Sequence, residues 1–396
     1  MDILIHPSSL NGTITAIPSK SQAHRLLICA AFADAPTSLE CSETNRDIEA
    51  TVDCLRALGT SIRREGVYYH IDPIAYLPDK AVLNCCESGS TLRFMLPIVG
   101  ALGIEGTFQM EGRLPYRPLS PLWEEMERMG CLLSRPTENT ILCTGKLKAG
   151  TYKIDGGVSS QFITGLLFAL SLLQEQSDLV ITGKTESKPY IDMTHLALMQ
   201  FGVCTPPLGR KILRTPGALK VEGDWSNGAF FLAASAIGNS VNVENLNPNS
   251  AQGDKSCVQI MKALKLEHTF VDAADIPDLV PILSVVASFH HGAVFHNIQR
   301  LRAKESDRVE SVCAMINSLG GRTESDESTL TIYPSAFIGG TVDSCNDHRI
   351  AMAAAIAATV SSGPVMIKQA QCVNKSYPTF WQEYKHLGGK YEQYIR

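Results

Sequence analysis

No two of the twelve cysteines form a C-x-x-C pair, and none of the ten histidines belongs to an H-E-x-x-H sequence. The cysteines are scattered, with Cys85 beside Cys86. Neither a zinc site nor a disulfide framework has the spacing it needs, so the thiols read as small apolar side chains in a reducing cytoplasm. An excess of positive charge is missing too: 35 Lys and Arg face 40 Asp and Glu, a formal net charge of −5. That excludes a general binder of nucleic acid or membrane surfaces, so any anion site must be a local gathering of cations. No apolar run approaches the roughly 18 residues of a membrane span. The opening MDILIHPSSL lacks a basic stretch followed by an apolar one, so no signal or transit peptide is expected. "TGKTES" (182–187) imitates the end of a P-loop, but Asp178 stands where the first glycine belongs.

What is present is length and repetition. A chain of 396 residues exceeds the size at which one hydrophobic core keeps growing, so two domains are expected. The phrases CLRALGTSI (54–62), EMERMGCLL (125–133), LALMQFGVC (196–204), AMINSLGGRT (314–323) and YKHLGGKY (384–391) each read as a helix end, a stopping glycine and a β-rich stretch. Glycine suits the left-handed position past a helix end because it has no Cβ. IMKALKLEHTF (260–270) is a weaker copy with Lys265 in the glycine's place. The six markers lie about 66 residues apart on average, which predicts six supersecondary units, three to a domain.

A second regularity concerns helix starts. PSKSQAHRLL (18–27), ESGSTLRFML (87–96), KESDRVESV (304–312) and NDHRIAMAAA (346–355) open with small polar residues and carry Arg25, Arg93, Arg308 and Arg349 in or near the first turns. Capping accounts for the small residues. The cations oppose the helix dipole, which makes each of them unfavourable by about 0.3–1 kcal/mol unless an anion binds there. Converging helix starts with such cations suit a small ligand bearing several phosphates or carboxylates.

Other segments add candidates. GGVSSQF (156–162) supplies two hydroxyls and an amide, RLPYRPL (113–119) holds Arg117 between prolines, and NKSYPTFW (374–381) carries Lys375. In RAKESDR (302–308), Lys304 and Arg308 share a helical face if the helix has already begun, with Glu305 between them. Asp278 precedes a very apolar segment in DIPDLVPIL (275–283): it is either a helix N-cap or a desolvated carboxylate able to act as a general base.

In order along the chain, PSKSQAHR, ESGSTLRF, LPYRP, GGVSSQF, ESKPYIDMT, IPDLVP, AKESDR, NDHRIAM and NKSYPTF resemble the motifs of the 5-enolpyruvylshikimate-3-phosphate synthase family, over residues 7 to about 381. The resemblance implies an α/β fold of two domains, each three βαβαββ repeats arranged as an inside-out α/β barrel, with the active site in the interdomain cleft. It implies crossings near Pro18 and within 221–231, giving a discontinuous domain of 1–18 plus 225–396 and a continuous one of 19–224. The implied reaction joins phosphoenolpyruvate to the 5-hydroxyl of shikimate 3-phosphate by addition and elimination, without metal or organic cofactor. A cytoplasmic monomer is expected, with these two small molecules as its partners.

Carried over by motif, Lys20, Asp278 and Glu305 are the implied catalytic residues. Lys20, Ser21, Arg25, Ser159, Ser160, Gln161, Ser187, Tyr190, Asp278 and Lys304 are implied for shikimate 3-phosphate. Lys20, Gly89, Arg117, Gln161, Arg308, Arg349 and Lys375 are implied for phosphoenolpyruvate. Departures from the family pattern are Arg300 where an asparagine is frequent, Glu87 where an asparagine is common, and Ser90 and Phe94 for threonine and proline. Two alternatives stay open: an enolpyruvyl transferase acting on UDP-N-acetylglucosamine, whose usual loop cysteine is absent from EGRLPYRP (111–118), and a non-catalytic anion- or RNA-binding relative.

Overall fold

The computed structural model describes residues 1–209 and 212–394. Its most apolar helices are buried all round, as a helix without a polar face must be. His348–Ala358 (HRIAMAAAIAA) is buried along its whole length, and nine of the ten residues of Val280–Phe289 are buried. The chain divides into two units, Met1–Ile17 with Glu222–Arg396 and Pro18–Val221. Each unit has its own hydrophobic core. Among the described residues, no helix is long and apolar enough to cross a membrane.

In the continuous unit, strands Lys80–Asn84 and Glu105–Gln109 run parallel, Thr140–Gly145 joins antiparallel, and Cys131–Thr137 forms the edge. The sheet Ala218–Lys220, Thr37–Glu40, Tyr68–Asp72 and Ser61–Glu65 has the same order of parallel, antiparallel and antiparallel pairs. The discontinuous unit repeats this order twice, in Thr269–Asp272, Ala293–His296, Thr329–Tyr333 and Arg322–Ser325, and in Gly340–Asp343, Val365–Lys368, Asp2–His6 and Lys390–Tyr394.

The expectation of six complete repeats needs correction. Among the described residues two sheets have two parallel strands only: Asn11–Thr15 with Ser240–Glu244, and Thr151–Asp155 with Asp178–Thr182. In the first, residues 265–268 alone separate the helix Cys257–Leu264 from strand Thr269–Asp272 of the next sheet, which leaves no room for a hairpin. In the second, the helix Lys188–Gln200 runs into VCTPPL, whose prolines cannot donate to a β-ladder. The sheets are also separate and open, so no closed barrel forms among the described residues. Gly59, Gly130, Gly202, Gly320 and Gly388 take positive φ just past helix ends, whereas Lys265, at the shortened repeat, has φ −73°.

Caps differ between the units. In the continuous unit Ser19, Ser88 and Ser159 cap the helices Lys20–Ala31, Gly89–Leu102 and Ser160–Leu172. In the discontinuous unit Asp224, Asp307 and Asp347 cap Trp225–Ala236, Arg308–Ser318 and His348–Ala358. A hydroxyl leaves the helix N-terminus electropositive, while a carboxylate offsets it.

Candidate active site

In the continuous unit the starts of several helices meet. Lys20 begins its helix, and its Nζ donates to Asp47 Oδ2 at 3.0 Å, across to the helix Arg46–Ala57. Arg25 lies beyond the first turn of its own helix and is 2% exposed. Its Nε donates to Thr194 Oγ1 at 2.9 Å, NH1 to the Ser21 carbonyl at 2.6 Å, and NH2 to the Tyr190 carbonyl at 2.8 Å and Thr164 Oγ1 at 3.3 Å. The guanidinium also lies 5.2 Å from the Phe94 ring centre. Four of its five N–H donors are therefore spent on tying three helices together, those of residues 20–31, 160–172 and 188–200. Burial lowers its pKa to about 10.

Arg93 likewise sits past the first turn of Gly89–Leu102. Its NH1 donates to Gln161 Oε1 at 2.9 Å and its NH2 to the Pro118 carbonyl at 3.0 Å, while Gln161 Nε2 donates to Ser90 Oγ at 2.9 Å. For Arg25 and Arg93 the opposition to the helix dipole expected from sequence is weak, because that field fades within the first turn. Packing holds them instead. Gly89 lets two arginine ends come close to the backbone: a Cβ there would stand 2.6 Å from Arg93 NH1 and 2.8 Å from Arg117 NH1, so these side-chain ends would have to shift. Ser159 is an N-cap, accepting from the Gln161 N–H, and Ser160 follows it, buried, as the first helical residue. Ser187 precedes Lys188–Gln200 in the left-handed conformation, φ 54°, and is buried.

In the discontinuous unit Asp278 precedes Val280–Phe289 but does not cap it; the N-cap position is Leu279, with no side-chain bond. The Asp278 carboxylate instead accepts from Arg308 NH1 at 2.6 Å and Arg349 NH2 at 3.0 Å, and Arg349 NH1 donates to the Asp278 carbonyl at 3.2 Å. Lys304 Nζ stands 3.9 Å from the same carboxylate. Arg308 also donates through Nε to Asp347 Oδ2 at 2.8 Å and through NH2 to Glu305 Oε2 at 2.7 Å. Arg308 and Arg349 do stand in the first turns of their helices.

Lys304 and Glu305 precede the helix, which begins at Arg308 behind its Asp307 cap. A shared helical face for Lys304 and Arg308 is therefore ruled out; the extended backbone at Lys304, not helical spacing, brings the two cations to Asp278. Lys375 ends the short helix Ala370–Lys375 and is buried. The next residue, Ser376, accepts from Asn227 Nδ2 at 3.3 Å, which ties this segment to Trp225–Ala236.

Burial opposes ionisation of Asp278, but the charges of Arg349, Lys304 and Arg308 outweigh it and hold the carboxyl well below its usual range. Lys304 is lowered to about 8, by burial first and then by Arg300 and Arg308, against the pull of Asp278. The arrangement is a carboxylate gripped by cations whose charge an incoming anion would share.

Three groups in these clusters escaped the sequence reading. Asp47 lies in a helix start with no motif around it, and Thr164 and Thr194 look like ordinary helix interior. Asp347 stood in the NDHR motif, where capping explained it fully. Its second role, holding Arg308, required the fold to bring residues 39 apart in sequence together.

Comparison with known proteins bears on the family and the fold. The profile of the family described as EPSP synthase (3-phosphoshikimate 1-carboxyvinyltransferase) matches residues 5–384. Proteins named 3-phosphoshikimate 1-carboxyvinyltransferase from Clostridium perfringens and Clostridium kluyveri are 39% and 36% identical, covering 98% and 99% of this chain and 98% of each relative. In fold the chain is similar to an EPSP synthase structure from Acinetobacter baumannii, with a TM-score of 0.80 at 22% identity, over 99% of this chain and 100% of that one. The enolpyruvyl transferase NikO from Streptomyces tendae is also similar, with a TM-score of 0.74 at 15% identity, over 99% of this chain and 98% of that one. With full-length relatives well above 30% identity and a profile spanning nearly the whole sequence, the chain belongs to the EPSP synthase family.

Proposed function

We propose that this protein transfers the enolpyruvyl group of phosphoenolpyruvate to the 5-hydroxyl of shikimate 3-phosphate, releasing phosphate. The observation that carries the proposal is the Asp278 carboxylate held by Arg308 and Arg349 with Lys304 beside it. Both substrates are polyanions that must be brought together against their own repulsion, and several cations around one carboxylate suit that task.

In this reading Arg117, Arg308, Arg349 and Lys375 hold phosphoenolpyruvate, with Gly89 leaving space for it and Gln161 beside it. Ser21, Arg25, Ser159, Ser160, Ser187, Tyr190 and Lys304 hold shikimate 3-phosphate. Lys20 contacts both. A proton adds to C3 of phosphoenolpyruvate, the 5-hydroxyl oxygen bonds to C2 and gives up its proton, and a tetrahedral intermediate forms. That intermediate then loses the C3 proton and the phosphate, restoring the double bond. Asp278 takes the hydroxyl proton, and Glu305 and Lys20 serve the proton steps at C3.

A carboxylate with a depressed pKa is a weak base, so Asp278 is poorly poised before substrates arrive. Anions bound to Arg349, Lys304 and Arg308 share the charge that depresses it, so its basicity rises once the substrates are in place. The reading includes a cytoplasmic monomer; twelve cysteines without a disulfide suit a reducing compartment.

The test is phosphate release with phosphoenolpyruvate and shikimate 3-phosphate, with UDP-N-acetylglucosamine as the competing acceptor. Turnover with shikimate 3-phosphate alone is expected. Asp278→Asn should fold and lose about 10²–10⁴ in kcat, the range of a positioned base. Turnover with only the UDP-sugar would overturn the assignment, and near-normal turnover of the variant would remove Asp278 from its role.

A further inference from the structure

Thr194 carries a hydroxyl whose bonding capacity is filled completely inside the continuous unit. It lies on the helix Lys188–Gln200 and, like Thr164 on Ser160–Leu172, is 0% exposed. Thr194 Oγ1 stands 2.9 Å from Arg25 Nε, 2.9 Å from Thr164 Oγ1 and 3.0 Å from the Tyr190 carbonyl oxygen. Arg25 NH2 lies 3.3 Å from Thr164 Oγ1 and 2.8 Å from that same carbonyl.

These contacts fix where the protons go. A guanidinium only donates and a carbonyl only accepts, while a hydroxyl has one hydrogen and two acceptor sites. Only one assignment serves all five contacts. The Thr194 hydrogen goes to the Tyr190 carbonyl, and the two acceptor sites of Thr194 take the Arg25 Nε hydrogen and the Thr164 hydroxyl hydrogen. Thr164 in turn accepts from Arg25 NH2. The result is a closed, fully satisfied ring that joins Arg25 to the backbone of Tyr190 both directly and through the two threonines. Arg25 NH1 spends one hydrogen on the Ser21 carbonyl at 2.6 Å, which leaves a single N–H of the guanidinium, on NH1, for an anion.

We propose that Thr194 is a positioning residue for shikimate 3-phosphate: it sets the rotation of the Arg25 guanidinium, ties it to the Tyr190 backbone, and so aims the one N–H left on NH1. The proposal rests on the reading that Arg25 and Tyr190 hold that substrate. An arginine side chain keeps its charge in any rotamer, but its planar fork serves an anion only in a fixed orientation. Valine has the shape of threonine without donor or acceptor. At position 194 it leaves the Arg25 Nε hydrogen and the Thr164 hydroxyl without their acceptor and frees the guanidinium to turn. Serine keeps the hydroxyl and with it the ring.

The test is steady-state kinetics of T194V, T194S and T164V with each substrate varied in turn, together with calorimetric titration of shikimate 3-phosphate alone. In T194V the KM and Kd for shikimate 3-phosphate should rise about tenfold, the effect of losing one well-placed hydrogen bond to a charged group. KM for phosphoenolpyruvate should change less than about threefold, and T194S should restore the wild-type values. T164V, which spares the bonds of Thr194 to Arg25 Nε and the Tyr190 carbonyl, should show a smaller rise in the same two constants. Unchanged values for shikimate 3-phosphate in T194V, or an equal loss in T194S, overturn the role of Thr194. An equal rise in KM for both substrates marks a general distortion and overturns it as well. If T194V does not fold, T164V decides alone, and wild-type constants there overturn the proposal. Absence of shikimate 3-phosphate binding to the wild-type protein is a different failure and removes the underlying reading instead.

Discussion

Arg308 and Asp347 are joined inside the protein by a 2.8 Å bond from Nε to Oδ2, with 1% and 0% of their side chains exposed. That bond fixes one edge of the guanidinium and aims the rest at Asp278 and Glu305. Asp347 is itself fixed as the cap of His348–Ala358, accepting from the Arg349 N–H at 3.0 Å. The two cations on Asp278 are thus held by one carboxylate, Arg308 through its side chain and Arg349 through its backbone.

Arg308→Lys tests this scaffold. A lysine is a single point charge and cannot reach three carboxylates in one plane as a guanidinium does. Leaving buried carboxylates without their partner costs about 3–5 kcal/mol. Urea unfolding should show a loss of that order, together with lost turnover. Unchanged stability would mean the network is not organised by Arg308.

Asp278 also gives the fold an acid dependence. Its pKa is depressed in the folded protein because Arg349, Lys304 and Arg308 outweigh the effect of burial. A depressed carboxyl contributes stability that is fully present above its unfolded pKa, about 3.9, and is lost as pH falls through the folded value. The urea midpoint of the wild-type protein should therefore fall as pH drops below about 4, and Asp278→Asn should fall less steeply over that window. Equal slopes would count against the ion network.

Gly89→Ala separates binding from stability. The added Cβ meets the ends of Arg93 and Arg117, which are flexible side chains, so the fold should persist. Alanine also favours a helix over glycine by up to about 1 kcal/mol. Moving Arg117 should raise KM for phosphoenolpyruvate about tenfold or more, equivalent to about 1.4 kcal/mol, with a smaller change for shikimate 3-phosphate. Steady-state kinetics with each substrate varied checks this, and equal effects on both would point to a general distortion.

Asp47→Asn should cost more activity than stability. Lys20 and Asp47 are largely buried, 16% and 9% exposed, and 3.0 Å apart. Without the carboxylate the lysine loses its orientation, and misplacement of a positioned group by about 1 Å can cost 10²-fold. We expect kcat/KM to fall about 10- to 100-fold, while thermal unfolding of the variant remains a single cooperative transition. Wild-type kinetics would show that Lys20 keeps its place without Asp47.

Much of the fold was legible. Stopping glycines mark helix ends because their conformation is a local steric matter, and Gly59, Gly130, Gly202, Gly320 and Gly388 all take the positive φ the sequence suggested. Lys265 marked the weakest copy of the repeat, but only the structure showed that the hairpin next to it is missing. The other short sheet was less visible, since VCTPPL differs from a strand only in its prolines. In the candidate site the electrostatic reason offered for four arginines fits only Arg308 and Arg349, which lie in the first turns, and not Arg25 and Arg93.

By itself the sequence determined the helix starts and stops, the apolar helices that must be buried, and the motif order that identifies the family. These depend on neighbours a few residues apart, where backbone sterics and capping act. Tertiary structure alone decided which polar group meets which: Lys20 with Asp47, Arg93 with Gln161, and Arg308 with Asp347. Such pairings join positions 27 to 68 residues apart, and the free energy of a charge depends on distance and burial, which only the folded chain supplies.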